Sequence, residues 1–295
     1  MYRRAPQANT ESNRLEGVVV SLARLKIGRI PYIVCAPYFY READPNIEWI
    51  EGSPAQLNRL LKSGEIDAAP SSCIAYAQNP EKYLLMPHYS TGSLNKIRSV
   101  LLVCQIPLQE LNGQCISLSP DSDTSNALTK ILLEKKYGIS CTFSHDVHQS
   151  PAQVYIGNKA LQAYYEPQTP YIYDLAEEWN NWTGLPFSFG LWIFSKKACS
   201  EKRHAVVDFV RFLSQGIPHF FSAPEHHLKN FLSLTQSQLP KGFSLDFFKE
   251  ENYLLTPQHH QALRKFFSFC LELNLVPTNP ELVWFHEGDV EQGRG

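Results

Sequence analysis

Apolar and polar positions along the chain fall in short runs, and their period changes several times. Leu25–Ile33 (LKIGRIPYI) and Asn46–Gly52 (NIEWIEG) read as strands, the second by its two-residue alternation. The first runs into a proline-bounded turn, Ile33-Val34-Cys35-Ala36, that is almost wholly apolar. SPAQLNRLLKSG then switches to helical spacing. Ser53 caps, Pro54 suits the first helical position, Gln56 completes a capping box and Gly64 stops the helix, with Leu57, Leu60 and Leu61 on the buried face. EIDAAPSS reads as a short strand ending at Pro70, with Ser71 and Ser72 at its tip. Two strands, a helix and a strand in close succession predict an α/β lobe.

A second unit follows. Ile97–Cys104 (IRSVLLVC) is an apolar strand after a polar entry, with Ser99 near its start, and CISLS is another strand. Asp123 or Thr124 is expected to cap the next helix, whose face is Leu128, Ile131 and Leu132 and whose stop is Gly138. CTFSHD and AQVYIGNKAL read as strands, and YDLAEEWNNWTG as a helix ended by Gly184. Leu185–Ser195 (LPFSFGLWIFS) matches Ile97–Cys104 as a long buried strand between units, and from Lys197 onward the chain reads helical. Two α/β units joined by two apolar strands predict a bilobal, hinge-closing fold with a ligand cleft between the lobes. One continuous doubly wound sheet is the alternative. The expected division is residues 25–104 with 187–295 as a discontinuous lobe I and 105–186 as lobe II, behind an extension, 1–24, expected to be disordered.

Composition narrows the function more than the fold. The 295 residues, 43% of them hydrophobic, suffice for a sizeable core. With 19% charged residues and a net charge of −2, no basic stripe points to nucleic acid and no polybasic run to an anionic membrane. No apolar run approaches the roughly 18 residues of a membrane span, and the N-terminal stretch lacks the apolar segment of a secretory signal. Seven cysteines in scattered positions without a CxxC read as reduced thiols of a cytoplasmic protein.

Strand-to-helix junctions are where α/β sheets hold ligands, because the free amides and dipole of a helix N-terminus attract anions. Two junctions here are rich in hydroxyls: Ser71-Ser72 and Ser122-Asp123-Thr124-Ser125. At each, helix capping competes with carboxylate binding as the reason for the hydroxyls. Ser99 is a third candidate, weighed against a purely structural serine in a strand. His226-His227 and His259-His260 are adjacent pairs that point apart on a helix, and His145 and His148 have no further ligand, so no metal site is expected. Asp174, Glu177 and Glu178 read as an acidic first helical turn. No GxGxxG, P-loop, GxSxG or HExxH motif marks an acid, a base or a nucleophile.

IGRIPYIVCAP, EGSPAQLNRLLKSGEIDAAPSSCIAYAQNPEKYLLMP, RSVLLV, SLSPDSDTSNALTKILLEKKYG, IGNKAL and YDLAEEWNNWTGLPFSFGLW occur in this order over about residues 25–195. Together they resemble the MqnA family, the chorismate dehydratases of menaquinone biosynthesis. The resemblance implies an α/β, bilobal type-II periplasmic-binding-protein-like fold with two hinge-crossing strands. It implies a carbon–oxygen lyase (a hydro-lyase) that converts chorismate to 3-[(1-carboxyvinyl)oxy]benzoate and water in the futalosine route, with chorismate as its small-molecule partner and no metal or organic cofactor. It implies Ser99 as the catalytic residue and Val34, Ser71, Ser72, Thr124, Ser125 and Gly157 as substrate contacts. The chain departs from the family twice: Val34 stands where YLNCLP has its asparagine, and Asn158 where IGDxAL has its aspartate. Three readings follow: a dehydratase that works without the asparagine, a cytosolic carboxylate-binding module that has lost its chemistry, or a relative of the later futalosine-pathway enzyme MqnD.

Overall fold

The computed structural model describes residues 24–42, 44–145 and 150–287. The expected extension 1–24 lies outside it apart from Arg24, as does His148. The chain runs through β1 (Leu25–Arg29), a 3-10 turn (Ile33–Cys35), α1 (Ala36–Phe39), β2 (Ile47–Glu51), α2 (Pro54–Ser63), β3 (Ala68–Ser72), α3 (Cys73–Gln78) and β4 (Tyr83–Ser93). It continues with β5 (Val100–Cys104), β6 (Cys115–Ser117), α4 (Asp123–Ile131), β7 (Thr142–Ser144), β8 (Ala152–Ile156), α5 (Gly157–Tyr165), β9 (Tyr171–Asp174) and α6 (Leu175–Thr183). The last part is β10 (Phe187–Ser195), α7 (Lys196–Glu201), α8 (Arg203–Ser222), α9 (Pro224–Thr235), α10 (Asp246–Glu250), β11 (Glu251–Leu254) and α11 (Pro257–Glu272).

Helix α2 starts and stops as its sequence predicts. Gln56 N–H donates to Ser53 Oγ, Ser53 N–H donates to Gln56 Oε1, and Gly64 closes the helix in the left-handed conformation. Leu57 and Leu61 are buried, whereas Leu60 is only half-buried. Elsewhere the structure corrects the reading. Ser122, not Asp123 or Thr124, caps α4: its extended backbone lets Oγ accept the Ser125 N–H, and Asp123 becomes the first helical residue. AQVYIGNKAL is not one strand, because it turns into α5 at Gly157, whose φ of +60° breaks the extended path. The strand expected over 97–104 begins only at Val100. Tyr83–Ser93 is a strand that the pattern hides, since Pro87 and a left-handed His88 interrupt its alternation. Glu251–Leu254 is a strand within the stretch that reads as helical.

Two sheets result, ordered β11-β4-β10-β3-β1-β2 and β7-β6-β8-β5-β9. In the first, β1 pairs in parallel with β2 and β3, and β10 returns from the second unit to lie antiparallel between β3 and β4. A single doubly wound sheet is thereby ruled out. Val100–Cys104, expected to close the first lobe, pairs wholly within the second sheet. The strands that flank the two crossings on the first-sheet side are β4 and β10. Fully buried Trp192, Phe194, Phe209 and Tyr38 fill the first lobe's core, and Trp179 packs edge-on against Phe187 and Phe266 beside the second crossing.

A candidate active site between the lobes

The turn that carries Ser99 is held in place by the start of α6. Asp174 caps that helix by accepting the N–H groups of Ala176 and Glu177, and its carboxylate also accepts the N–H groups of Ile97 (3.0 Å) and Arg98 (2.6 Å). This grip keeps Arg98 at φ 56°, a left-handed conformation costly for a side-chain-bearing residue. Arg98 is further tied to Tyr165 (3.1 Å) and Glu250. Burial pushes the Asp174 carboxyl up to about 6, against the opposing pull of its backbone donors. The turn aims Ser99, 2% exposed, into the space between the lobes.

Opposite lies the apolar turn after β1, pinned from both sides. Ile33 N–H donates to Asn158 Oδ1 across the lobes (2.9 Å), and the Tyr253 hydroxyl donates to the Val34 carbonyl (2.7 Å). Val34 lines the same cleft as Ser99. Gly157, donating its N–H to the Ser99 carbonyl at 2.8 Å, completes this wall. A Cβ there would lie 2.6 Å from the Tyr32 ring, so only glycine fits under that tyrosine.

Of the residues singled out in the sequence, Val34, Ser71, Ser72, Ser99, Ser125 and Gly157 line one cleft of about 540 Å³, counting its open mouth. Thr124 does not. It is fully buried, and its Oγ1 accepts the Ile74 N–H, stitching α4 to α3 across the lobes. Residues missed in the sequence are Ser122, one of three hydroxyls in its junction; Thr91, on the hidden strand β4; and Tyr32, Ile30 and Phe189, which carry no chemical signature.

The cleft is rich in hydroxyl donors. Ser71 Oγ is buried without a hydrogen-bond partner. Ser72 Oγ accepts from Ala75 N–H and Asn58 Nδ2, which leaves its own proton to donate. Ser122 and Ser125 share one hydrogen bond of 2.8 Å, so one proton of the pair remains free. Helix α5 starts at the cleft wall without a side-chain cap, and its Gly157 N–H is spent on the Ser99 carbonyl. Among the described residues no Arg, Lys, His, Asp or Glu lines the cleft: Arg29 pairs with Glu51 (2.8 Å) and Arg98 with Glu250. Cys35 does line it, but burial pushes its thiol far up, which makes it a poor nucleophile. The other cysteines are free thiols as well. Among the described residues no three His, Cys, Asp or Glu side chains converge as a metal site.

Two sheets with a hydroxyl-lined cleft between them define a protein of the periplasmic-binding-protein fold. Solved structures agree. The alkanesulfonate-binding protein SsuA of Xanthomonas axonopodis pv. citri superposes with a TM-score of 0.67 at 17% identity, over 89% of this chain and 98% of that one. Protein AF1704 of Archaeoglobus fulgidus does so with a TM-score of 0.62 at 17% identity, over 86% and 99%. Within that class the family model for menaquinone biosynthesis matches residues 25–272, and the chain belongs to this family. A chorismate dehydratase of Campylobacter jejuni is 27% identical over 259 residues, 84% of this chain and 99% of that protein. One of Thermus thermophilus is 29% identical over 169 residues, 49% of this chain; that alignment spans 60% of the Thermus protein.

Proposed function

We propose that this protein is a chorismate dehydratase, a hydro-lyase that acts in the cytoplasm on the futalosine route to menaquinone. The observation that carries the reading is the cleft itself: free hydroxyls and an uncapped helix start, contributed by both lobes and without a charged side chain, suit a small dianion. No described helix is long and apolar enough to cross a membrane.

Such a cleft suits this reaction. Loss of water breaks a C–H bond and the C–O bond on the neighbouring ring carbon, and the electron pair of the C–H bond joins the new aromatic system. Aromatisation supplies the driving force, so the protein has to orient the dianion, exclude water and stabilise the developing charge. Ser71, Ser72, Ser122 and Ser125 hold carboxylates. The Ser99 hydroxyl supports charge at the reacting carbons. The substrate's own enolpyruvyl carboxylate takes the proton and passes it to the departing hydroxyl, which leaves as water. Val34 supplies no hydrogen bond where the family has an asparagine. Loss of one preorganised donor slows such reactions by roughly 10²–10³-fold, which leaves a working catalyst.

The test is incubation of the full chain with chorismate, with Val34→Asn in parallel and products followed by chromatography and mass spectrometry. Formation of 3-[(1-carboxyvinyl)oxy]benzoate by the unmodified chain is the expected result. Product from Val34→Asn alone would show a scaffold that binds without reacting. No product from either would remove chorismate as the substrate.

A further inference from the structure

A second groove, of about 930 Å³ with its open mouth, lies where the chain leaving α1 meets α8 and α9, and it shares no lining residue with the cleft. Its walls include Tyr40, Arg41, His219, His226, His227 and Asn230. Arg41 is half-buried. Its guanidinium stacks on Phe212, 3.6 Å from the ring centre, and donates one N–H to the Phe212 carbonyl, while its Nε has no partner. No carboxylate pairs with Arg41 among the described residues; Glu42, the acid on the groove wall, is exposed to solvent. A guanidinium partly withdrawn from water without a counter-charge is an incomplete arrangement.

The imidazoles around it are already oriented. His227 Nδ1 lies 3.0 Å from the Phe220 carbonyl, which only accepts, so Nδ1 carries the proton. The Tyr40 hydroxyl contacts both the Gly216 carbonyl (3.2 Å) and His219 Nδ1 (2.7 Å), and it satisfies both by donating to the carbonyl and accepting from the ring. Both rings thus spend Nδ1 on the protein and keep Nε2 for another partner. His226 and Asn230 stand beside them, 3.4 Å apart. A metal ion would meet an unpaired guanidinium here, and no triad of ligating side chains converges among the described residues. An oxyanion would meet the Arg41 guanidinium, and an Nε2 would donate to it only from an imidazole that carries a second proton.

We propose that this groove is a second ligand site that takes a small oxyanion, the phosphate or carboxylate group of a metabolite, with Arg41 as its charge partner. The test is calorimetric titration of the full chain with inorganic phosphate and, separately, with benzoate; the stronger of the two identifies the group preferred. Saturable one-site binding is expected to weaken about tenfold or more in Arg41→Gln and in His226→Ala, and to persist in the cleft variant Ser125→Ala. His226 is exposed, so its replacement is expected to leave the melting temperature unchanged and separates binding from folding. Absence of binding for both anions would overturn the proposal. So would binding lost in Ser125→Ala but kept in Arg41→Gln, and so would stoichiometric zinc uptake that depends on His219 and His227 without anion binding.

Discussion

Arg98 sits in a backbone conformation that glycine prefers, and Ser99 owes its position to that strain. The energy comes from Asp174, whose carboxylate holds the Ile97 and Arg98 amides together. Since the Ser99 hydroxyl is not part of that grip, Ser99→Ala is expected to keep the melting temperature and lower dehydration by about 10²-fold, as read by single-turnover kinetics beside a thermal melt. Gly157 is constrained differently, by a φ of +60° and by the Tyr32 ring above it. Gly157→Ala is expected to cost about 1–3 kcal/mol in urea unfolding and to move Tyr32 into the cleft, with loss of turnover. A variant as stable and active as the parent would show that Tyr32 yields freely.

At the scale of elements, the start of α6 does two tasks, ending one helix's frayed amides and anchoring a turn of the other crossing. Its buried carboxyl makes that junction sensitive to pH. Asp174 titrates at about 6 in the folded chain against 3.8 ordinarily, so between these values the folded state holds a proton that the unfolded state has lost. Its contribution therefore falls as pH rises from about 4 to about 6 and is flat above, a change of up to roughly 3 kcal/mol. His259 acts in the opposite sense. Buried at the start of α11, it is pushed down to about 4 from 6.5, and its contribution is lost as pH falls through that window. The two are separated by comparing urea unfolding of the parent and Asp174→Asn, which keeps a capping oxygen but does not titrate. The stability of the parent minus that of the variant is expected to decline from pH 4 to pH 6. A difference independent of pH would mean that Asp174 keeps its ordinary carboxylate pKa despite burial.

For the whole molecule, the lobes touch well beyond their two crossings. Ile33 N–H bonds to Asn158, Ile74 N–H to Thr124 and Ala55 N–H to the Asp121 carbonyl (3.1 Å). The segment after α9 adds Lys241 N–H to Glu166 (2.8 Å) and the Tyr165–Phe243 ring pair. Of these ties, Asn158 reaches the turn that carries Val34, and its Nδ2 also faces the Pro31 carbonyl at 3.4 Å. Asn158→Ala is expected to raise KM for chorismate several-fold with a smaller effect on kcat, and to enlarge the ligand-free radius of gyration in X-ray scattering. Unchanged scattering with an equal fall in kcat and kcat/KM would instead put Asn158 in the chemistry.

The sequence by itself determined the local features. Ser53, Gln56 and Gly64 bound α2 and Gly184 ends α6, because caps and stops act within one turn of the chain. The order of apolar runs was enough to indicate two α/β units, and hydroxyls at strand-to-helix junctions pointed to Ser71, Ser72 and Ser125 of the cleft. Only the tertiary structure decided what depends on distant partners. A buried run such as Val100–Cys104 has the same pattern in either sheet, and its place in the second is set by pairing with Ala152–Ile156 and Tyr171–Asp174. Thr124 and Ser125 are neighbours with like hydroxyls, yet one turns to α3 and the other to the cleft, because a helix sends successive side chains about 100° apart. Tyr32, Thr91 and Arg41 have no motif at all. Their roles arise from the surfaces that distant segments bring against them, and residue order encodes those surfaces only through the packing of the whole chain.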